Sequence, residues 1–137
     1  MSEYHQVAVE FHDEESLLQS LKEINNNYNP EVHKEAVNLY GYQGDRRSEK
    51  AHIVIPRNQV GVASNDVGFL KNKDGSYKMI VSEYDQKTYW TESFVNKLKQ
   101  TYAKNVILKN SKKMKHKLKS QQVQSDGSIK IKVRVRD

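Results

Sequence analysis

The first third of the chain alternates apolar and polar positions in two different periods. Apolar side chains occupy every second position over residues 6–11, which predicts a half-buried strand. Asp13 then offers a helix N-cap, and an apolar stripe over residues 17–24 predicts a helix with one buried side. Three asparagines and Pro30 follow, so this helix is expected to end near Ile24.

The middle of the chain carries four shorter apolar runs that predict strands. Residues 36–42 and 51–55 form the first two, separated by a polar linker. Residues 66–70 and 77–84 form the next two, and Asp74-Gly75 between them is a typical hairpin turn. The pattern therefore predicts consecutive antiparallel strands rather than strands that alternate with helices.

The last third begins with a second helical period and ends with a second hairpin signal. Thr91 or Ser93 can cap a helix whose apolar stripe continues to about residue 113. Residues 115–124 and 128–136 then read as two strands joined at Asp126-Gly127. In the last strand four basic side chains face away from the apolar side: Lys130, Lys132, Arg134 and Arg136.

The predicted order is β-α-β-β-β-β-α-β-β. This order favours the α+β class, with a mostly antiparallel sheet and two helices on one face. The 137 residues have the usual length of one domain, and no linker-like segment divides them, so we expect a single domain over residues 1–137.

Composition excludes several kinds of chemistry. The chain contains no cysteine, which removes disulfides, thiolate metal sites and a cysteine nucleophile. None of the five histidines has the spacing of a metal-binding motif, and phosphate-loop, dinucleotide and hydrolase-elbow motifs are absent. We therefore expect no metal, no cofactor and no membrane span, and the balance favours a non-enzyme in the cytoplasm, or in the plastid stroma if the chain is plastid-encoded.

Charge is distributed unevenly along the chain, whose formal net charge is +6. Residues 1–31 contain seven acidic residues against one lysine, whereas no acid occurs between Glu92 and Asp126, where there are nine lysines. A basic surface of this kind is typical of polyanion binding, most plausibly of RNA or DNA. Solvation, or pairing with the acidic third within one molecule or between two, would produce the same asymmetry.

The polyanion hypothesis names specific contacts. The residues expected to bind phosphate lie near the end of the second helical region and in the last strand: Lys112, Lys113, Lys115, Lys130, Lys132, Arg134 and Arg136. Tyr89 and Trp90 precede the basic run and are candidates for stacking on unpaired bases. If this hypothesis is correct, loss of the strand residues reduces the salt dependence of binding.

A second candidate site is the polar segment over residues 41–47. Gly41 and Gly44 permit tight turns, Tyr42 lies between them, and Arg46 or Arg47 can bind a phosphate or carboxylate. Asp45 and Glu49 can equally pair with these arginines on the surface. A dispersed enzyme site would need a pocket that holds Arg47 with Asp66 or with a histidine.

Four segments together carry a family resemblance. They are the helix with Leu17-Leu18-Leu21, the run Gly41-Tyr42-Gln43-Gly44-Asp45-Arg46-Arg47 before Ala51-His52-Ile53-Val54-Ile55, the pair Asp66-Val67-Gly68-Phe69 and Asp74-Gly75-Ser76-Tyr77, and the stretch Phe94–Ala103. In this order they resemble a small uncharacterised family named for the thirty-fifth hypothetical chloroplast reading frame, found in algal plastids, cyanobacteria and other bacteria. The extra length between Arg47 and Ala51 and the lysine-rich residues 109–119 depart from that family.

The resemblance implies an α+β domain of unassigned function, and supplies no catalytic residue. It also implies a partner of the AAA class of ATPases, near which relatives are encoded. Three hypotheses follow in order: a non-catalytic nucleic-acid-binding module or accessory subunit, a protein adaptor for such an ATPase or for itself, and a small enzyme with a dispersed site.

Overall fold

The computed structural model describes residues 2–122, which form five strands and four helices. The strands are β1 (Tyr4–Phe11), β2 (Glu31–Tyr40), β3 (Arg46–Ile55), β4 (Val67–Lys71) and β5 (Tyr77–Ser82). The helices are α1 (Glu14–Ile24), α2 (Arg57–Val60), α3 (Glu83–Thr88) and α4 (Glu92–Gln122). Their order agrees with the predicted succession of one strand, a helix, four strands and a second long helix.

The five strands form one antiparallel sheet in the order β1-β5-β4-β3-β2. Three of the four pairs, β2–β3, β3–β4 and β4–β5, join strands that follow one another in sequence. Strand β1 pairs with β5, from the other end of the strand succession. The α+β class and the mostly antiparallel sheet predicted from the sequence are confirmed.

Helices α1 and α4 pack on the same face of the sheet. Leu17 and Leu21 of α1 and Leu98 of α4 are completely buried in one cluster with sheet residues such as Ile53 and Phe69. The predicted cap of α1 is also present, because the Asp13 carboxylate accepts a hydrogen bond of 3.0 Å from the Ser16 amide. Burial of this one-sided apolar stripe explains why the helix forms where it does.

The second face of the sheet is covered by the distal half of the β2–β3 hairpin. Leu39 and Ala51 of the hairpin are buried in a cluster with Tyr4 and Ile80 of the opposite strands. At Gly68 in β4 a Cβ atom would lie only 2.6 Å from the Ala51 Cβ, so the hairpin rests directly on the strand. Glycine allows this close approach because it has no side chain.

The hairpin is longer than the sequence predicts. Strand β2 begins five residues before the predicted segment 36–42, and β3 begins five residues before 51–55. The polar residues at those positions are exposed or half-buried, so no apolar signal marks them. Helices α2 and α3 were not predicted, because four and six residues are too few to show a helical period.

The predicted strand over residues 115–124 is wrong, because α4 continues to Gln122. Lysine, leucine and glutamine are good helix formers, and no glycine or proline interrupts this stretch. The predicted last strand, residues 128–136, lies outside the described residues.

Candidate functional site

Two lysines near the middle of α4 form ion pairs with acidic residues of helix α1 and its N-cap. The Lys104 ammonium lies 3.3 Å from Glu23, and the Lys109 ammonium lies 2.7 Å from Asp13 and 3.0 Å from Glu15. Pairing between the basic and acidic thirds within one molecule, an alternative left open by the sequence, therefore occurs at these positions.

Beyond Lys109 the helix extends past the start of α1, and its lysines are exposed. The exposed stretch is residues 112–117, which contains four lysines, Lys112, Lys113, Lys115 and Lys117. Within the described residues none of these ammonium groups lies within 4.0 Å of a carboxylate. We call residues 110–117 the distal basic segment of α4. It contains the three lysines of this helix that were predicted to bind phosphate, and also the exposed Lys117, which the prediction did not include.

The remaining predicted phosphate ligands lie outside the described residues. They are the basic side chains of the predicted last strand: Lys130, Lys132, Arg134 and Arg136. Their contribution to a polyanion site stays a prediction.

The two predicted stacking residues have opposite environments. Trp90 is 1% exposed, and its ring packs against Tyr28, Phe69 and Phe94, so it is unavailable to a nucleic acid and this prediction is wrong. The neighbouring Tyr89 is 38% exposed and remains a candidate. The closeness of Trp90 to a basic run suggested exposure, but two of the rings that cover it, Tyr28 and Phe69, come from distant parts of the chain.

Residues 41–45 of the predicted loop 41–47 form the tight turn of the β2–β3 hairpin, and Arg46 and Arg47 are the first residues of β3. Gly44 has a φ of +81°, which favours glycine, and its amide donates to the Gly41 carbonyl at 2.9 Å. Tyr42 is 40% exposed, and its amide donates to the Asn65 side chain at 2.9 Å. The hydrogen bond to Asn65 therefore holds the backbone of the turn, while the Tyr42 ring remains accessible.

The two arginines of this loop differ in role. Arg47 donates a hydrogen bond of 2.8 Å to the Ser2 carbonyl and lies over the Tyr4 ring, 5.0 Å from its centroid. Its side chain is only 15% exposed, which makes it a structural link between the hairpin and the N-terminal segment. Arg46 is exposed, and its guanidinium donates to the Asn38 side chain at 2.9 Å, which leaves further donors free to bind a ligand.

A buried polar network that sequence reasoning missed holds the hairpin turn. The Asp85 carboxylate is fully buried and accepts hydrogen bonds from the Asn65 amide at 3.0 Å and the Ser82 hydroxyl at 2.9 Å. Asn65 in turn holds Tyr42, so three separate loops are tied together. The pattern Ser82-x-x-Asp85 at the start of α3 is a capping signal that could have identified part of this network.

This network supports four exposed apolar side chains, which we call the aromatic patch: Tyr42, Val62, Tyr84 and Tyr89. Tyr42 and Tyr84 line a shared cavity of about 350 Å³ together with Ala63. The Tyr89 ring lies against Gly61, where a Cβ atom would be 2.3 Å from it. The patch is thus built around the loop between α2 and β4.

Fold and surface together define an α+β domain with a basic helical segment and no assigned activity. The family described as a protein of unknown function (DUF1257) matches residues 20–132, most of the chain, and the chain belongs to this family. A protein from Cyanophora paradoxa, named uncharacterized protein ycf35, is 28% identical over 134 residues, which cover 97% of this chain and 96% of that protein. The family expected from the sequence is therefore confirmed.

Two further findings concern solved structures and membrane-spanning helices. No solved structure is significantly similar to this chain. Among the described residues, no helix has both the length and the apolar character needed to cross a membrane.

Proposed function

We propose that this protein is a non-catalytic nucleic-acid-binding module whose main contact is the distal basic segment of α4. The observation that carries the proposal is the separation of α4 into two parts. Lys104 and Lys109 are paired with acids at α1, whereas the four lysines of residues 112–117 face solvent with no carboxylate within 4.0 Å among the described residues. Such a module would act in the cytoplasm, or in the plastid stroma if the chain is plastid-encoded.

Helical spacing places these lysines close together. Lys112 and Lys115 are three residues apart, and Lys113 and Lys117 are four apart, so each pair lies on neighbouring turns. Like charges at these spacings repel one another and weaken the helix. Phosphate groups along a nucleic acid would remove this repulsion and release counterions, which makes a polyanion a favourable ligand.

The acidic part of the molecule does not oppose this binding mode. Glu23, Asp13 and Glu15 lie next to Lys104 or Lys109, so their charges are partly neutralised where α1 meets α4. The distal basic segment also lies beyond the N-terminal end of α1. A nucleic acid at residues 112–117 would therefore meet mostly positive charge.

The test is the salt dependence of binding to fluorescently labelled RNA and DNA oligonucleotides, single- and double-stranded, measured by anisotropy. The variant replaces Lys112, Lys113, Lys115 and Lys117 with Gln. The control replaces four other exposed lysines with Gln: Lys22, Lys50, Lys73 and Lys87. Each lost phosphate contact lowers the slope of log K against log salt by about 0.7–0.9.

We expect the helix variant to reduce the slope by about 3 and the control to leave it nearly unchanged. Equal slopes in the two variants would show that the basicity acts only through net charge, and would overturn the proposal. Replacing Lys130, Lys132, Arg134 and Arg136 with Gln in the same assay measures whether the predicted strand residues add contacts.

The aromatic patch favours a second candidate, a protein adaptor. Exposed tyrosines are enriched in protein interfaces, and Tyr42, Tyr84 and Tyr89 occur here with the exposed Val62 around one rigid loop. The family resemblance suggests an AAA-class ATPase as the partner. In a nuclease-treated extract at high salt, the adaptor hypothesis expects retention of that ATPase, with loss when Tyr42, Val62 and Tyr84 become Ser. Retention that salt or nuclease abolishes would contradict it.

A further inference from the structure

A cavity of about 490 Å³ lies along the irregular part of strand β2. Between Val32 and Val37 the strand advances five residues, while its partner β3 moves only from Ile53 to Ala51. The extra residues form a β-bulge or similar irregularity, and bulges often occur next to functional sites because they redirect side chains. Apolar walls come from Ala36, Val37, Val54 and Pro56.

Asp66 supplies a fixed carboxylate to this cavity. It is 7% exposed, and its two oxygens accept hydrogen bonds of 2.8 Å from the amides of Tyr40 and Arg57. No basic side chain of the described residues forms an ion pair with it. Burial, which outweighs these two hydrogen bonds, raises the pKa of Asp66. The carboxylate therefore has no ion pair within 4.0 Å among the described residues, and the charge of Arg57 lowers its pKa only in part.

Glu31 lines the same cavity and adds a second carboxylate. Its negative charge also raises the pKa of Asp66, as a cause secondary to burial. The only basic partner of Glu31 among the described residues is His33, at 3.1 Å, a side chain that is charged only when protonated. A ligand cation near both acids would relieve this repulsion.

Arg46 supplies the opposite charge to the cavity lining. One nitrogen of its guanidinium binds Asn38, and the remaining donors can form a bidentate contact with a ligand carboxylate. The enzyme alternative required Arg47 together with Asp66 or a histidine, but the cavity contains Arg46 with Asp66 and His33 instead. Both kinds of charge thus line one cavity that also has apolar walls, as in small-molecule pockets.

We propose that this cavity binds a free α-amino acid with an aliphatic side chain. Asp66 and Glu31 receive the ammonium group, Arg46 receives the carboxylate, and the walls formed by Val37, Val54 and Pro56 cover the side chain. A zwitterion matches the mixed charges better than a simple anion, which the two acids would repel, or a simple cation, which would leave Arg46 unused. This inference is independent of nucleic-acid binding, which uses α4.

The test is isothermal titration calorimetry with L-leucine and two analogues that each lack one charged group. Isoamylamine keeps the ammonium group, and 4-methylpentanoate keeps the carboxylate. We expect L-leucine to bind at least about tenfold more tightly than either analogue, since a charged contact that lacks its partner costs about 1.4 kcal/mol or more. L-leucine that binds no better than 4-methylpentanoate, or not at all, would overturn the proposal.

Two variants test which residues bind the carboxylate and the ammonium group of the ligand. Arg46→Gln is expected to weaken the binding of L-leucine about tenfold but to leave the binding of isoamylamine unchanged. Glu31→Gln is expected to weaken the binding of both L-leucine and isoamylamine. Both positions are exposed, so the variants should fold, which circular dichroism checks. Glu35→Gln and Lys50→Gln, exposed residues of β2 and β3 outside the cavity lining, serve as controls. Equal losses in test and control variants would reject the site even if nucleic-acid binding by α4 is confirmed.

Discussion

At the scale of single residues, Tyr102 joins α4 to the junction of β1 and α1. Its hydroxyl oxygen accepts hydrogen bonds of 2.8 Å from the amides of both His12 and Asp13, while its ring packs edge-on against Phe11. Tyr102→Phe keeps the ring contact and removes both hydrogen bonds. We expect it to lower the free energy of unfolding by about 1 kcal/mol, measured by urea denaturation.

Tyr89→Phe is the matched control for this measurement. Tyr89 is exposed, and its hydroxyl makes no hydrogen bond to the described residues, so the same chemical change should leave the urea midpoint nearly unchanged. If both variants lost equal stability, the hydroxyl of Tyr102 would not be the cause of its effect.

The pair Asp13–Lys109 makes stability depend on pH in the acid range. Burial alone would raise the pKa of Asp13, but hydrogen bonds from Lys109 and Ser16 outweigh burial and hold it below its ordinary value. The stabilisation is therefore complete above about pH 4 and is lost as the pH falls through the lower pKa of the folded state. Asp13→Asn keeps a good N-cap acceptor but lacks this charge.

We expect the urea midpoint of Asp13→Asn to fall less than that of the wild type between about pH 6 and about pH 3. Lys109→Gln should reduce the dependence less than Asp13→Asn does, because Ser16 still donates hydrogen bonds to the Asp13 carboxylate. Parallel acid curves for the wild type and both variants would mean that the ion pair contributes nothing measurable.

Single residues also show where sequence reasoning is weakest. Asp13 was correctly identified as a cap, since capping depends only on neighbouring residues. Trp90 was wrongly placed on the surface, and Asp66 was expected with Arg47 although it lines a cavity with Arg46, because both environments depend on residues far away in the sequence. Local chemistry was therefore predictable, whereas burial from long-range packing was not.

At the scale of elements, α4 is one continuous helix with two parts that contribute differently to the stability of the domain. Leu98 and Asn105 in the first part are buried against the sheet and α1, whereas all side chains from Lys112 to Lys117 are exposed. Helix propensity in the first part is coupled to the fold of the domain, whereas in the second part it affects only the local helix–coil equilibrium.

Two glycine variants at exposed positions separate these parts. Lys97→Gly is expected to lower the free energy of unfolding by about 1 kcal/mol, since glycine is a poor helix former and this part unfolds with the domain. Lys113→Gly should reduce the helical circular dichroism signal but leave the main urea transition in place. A shift of the main transition in Lys113→Gly as large as in Lys97→Gly would show that residues 110–117 are integrated into the core.

The elements with a strong one-sided period were predictable, and those without one were not. Helix α1 and strands β4 and β5 lie close to their predicted positions, because their apolar faces are buried against a single core. Strand β2 was placed too late and the strand over 115–124 was wrong, since solvent-exposed residues carry little periodic signal. The cavity along β2 depends on the bulge in that strand. The sequence offers no clear sign of this bulge.

At the scale of the whole molecule, the charge asymmetry allows two assemblies. Acidic and basic regions could bind each other between two copies, or pair within one copy. In the structure Lys104 and Lys109 already lie beside Glu23, Asp13 and Glu15 of the same chain, so this acidic surface is largely occupied. The exposed lysines of residues 112–117 repel the same segment of another copy.

We therefore expect the nucleic-acid-free protein to be a monomer at both low and high salt. Size-exclusion chromatography with light scattering, after nuclease treatment, gives the mass directly. A dimer at low salt that dissociates at high salt would show that acidic and basic surfaces pair between copies. Lys104→Gln with Lys109→Gln exposes the acids of α1, so a salt-sensitive dimer formed by this variant alone would show that the internal ion pairs keep the native protein monomeric and leave the distal basic segment free for a polyanion.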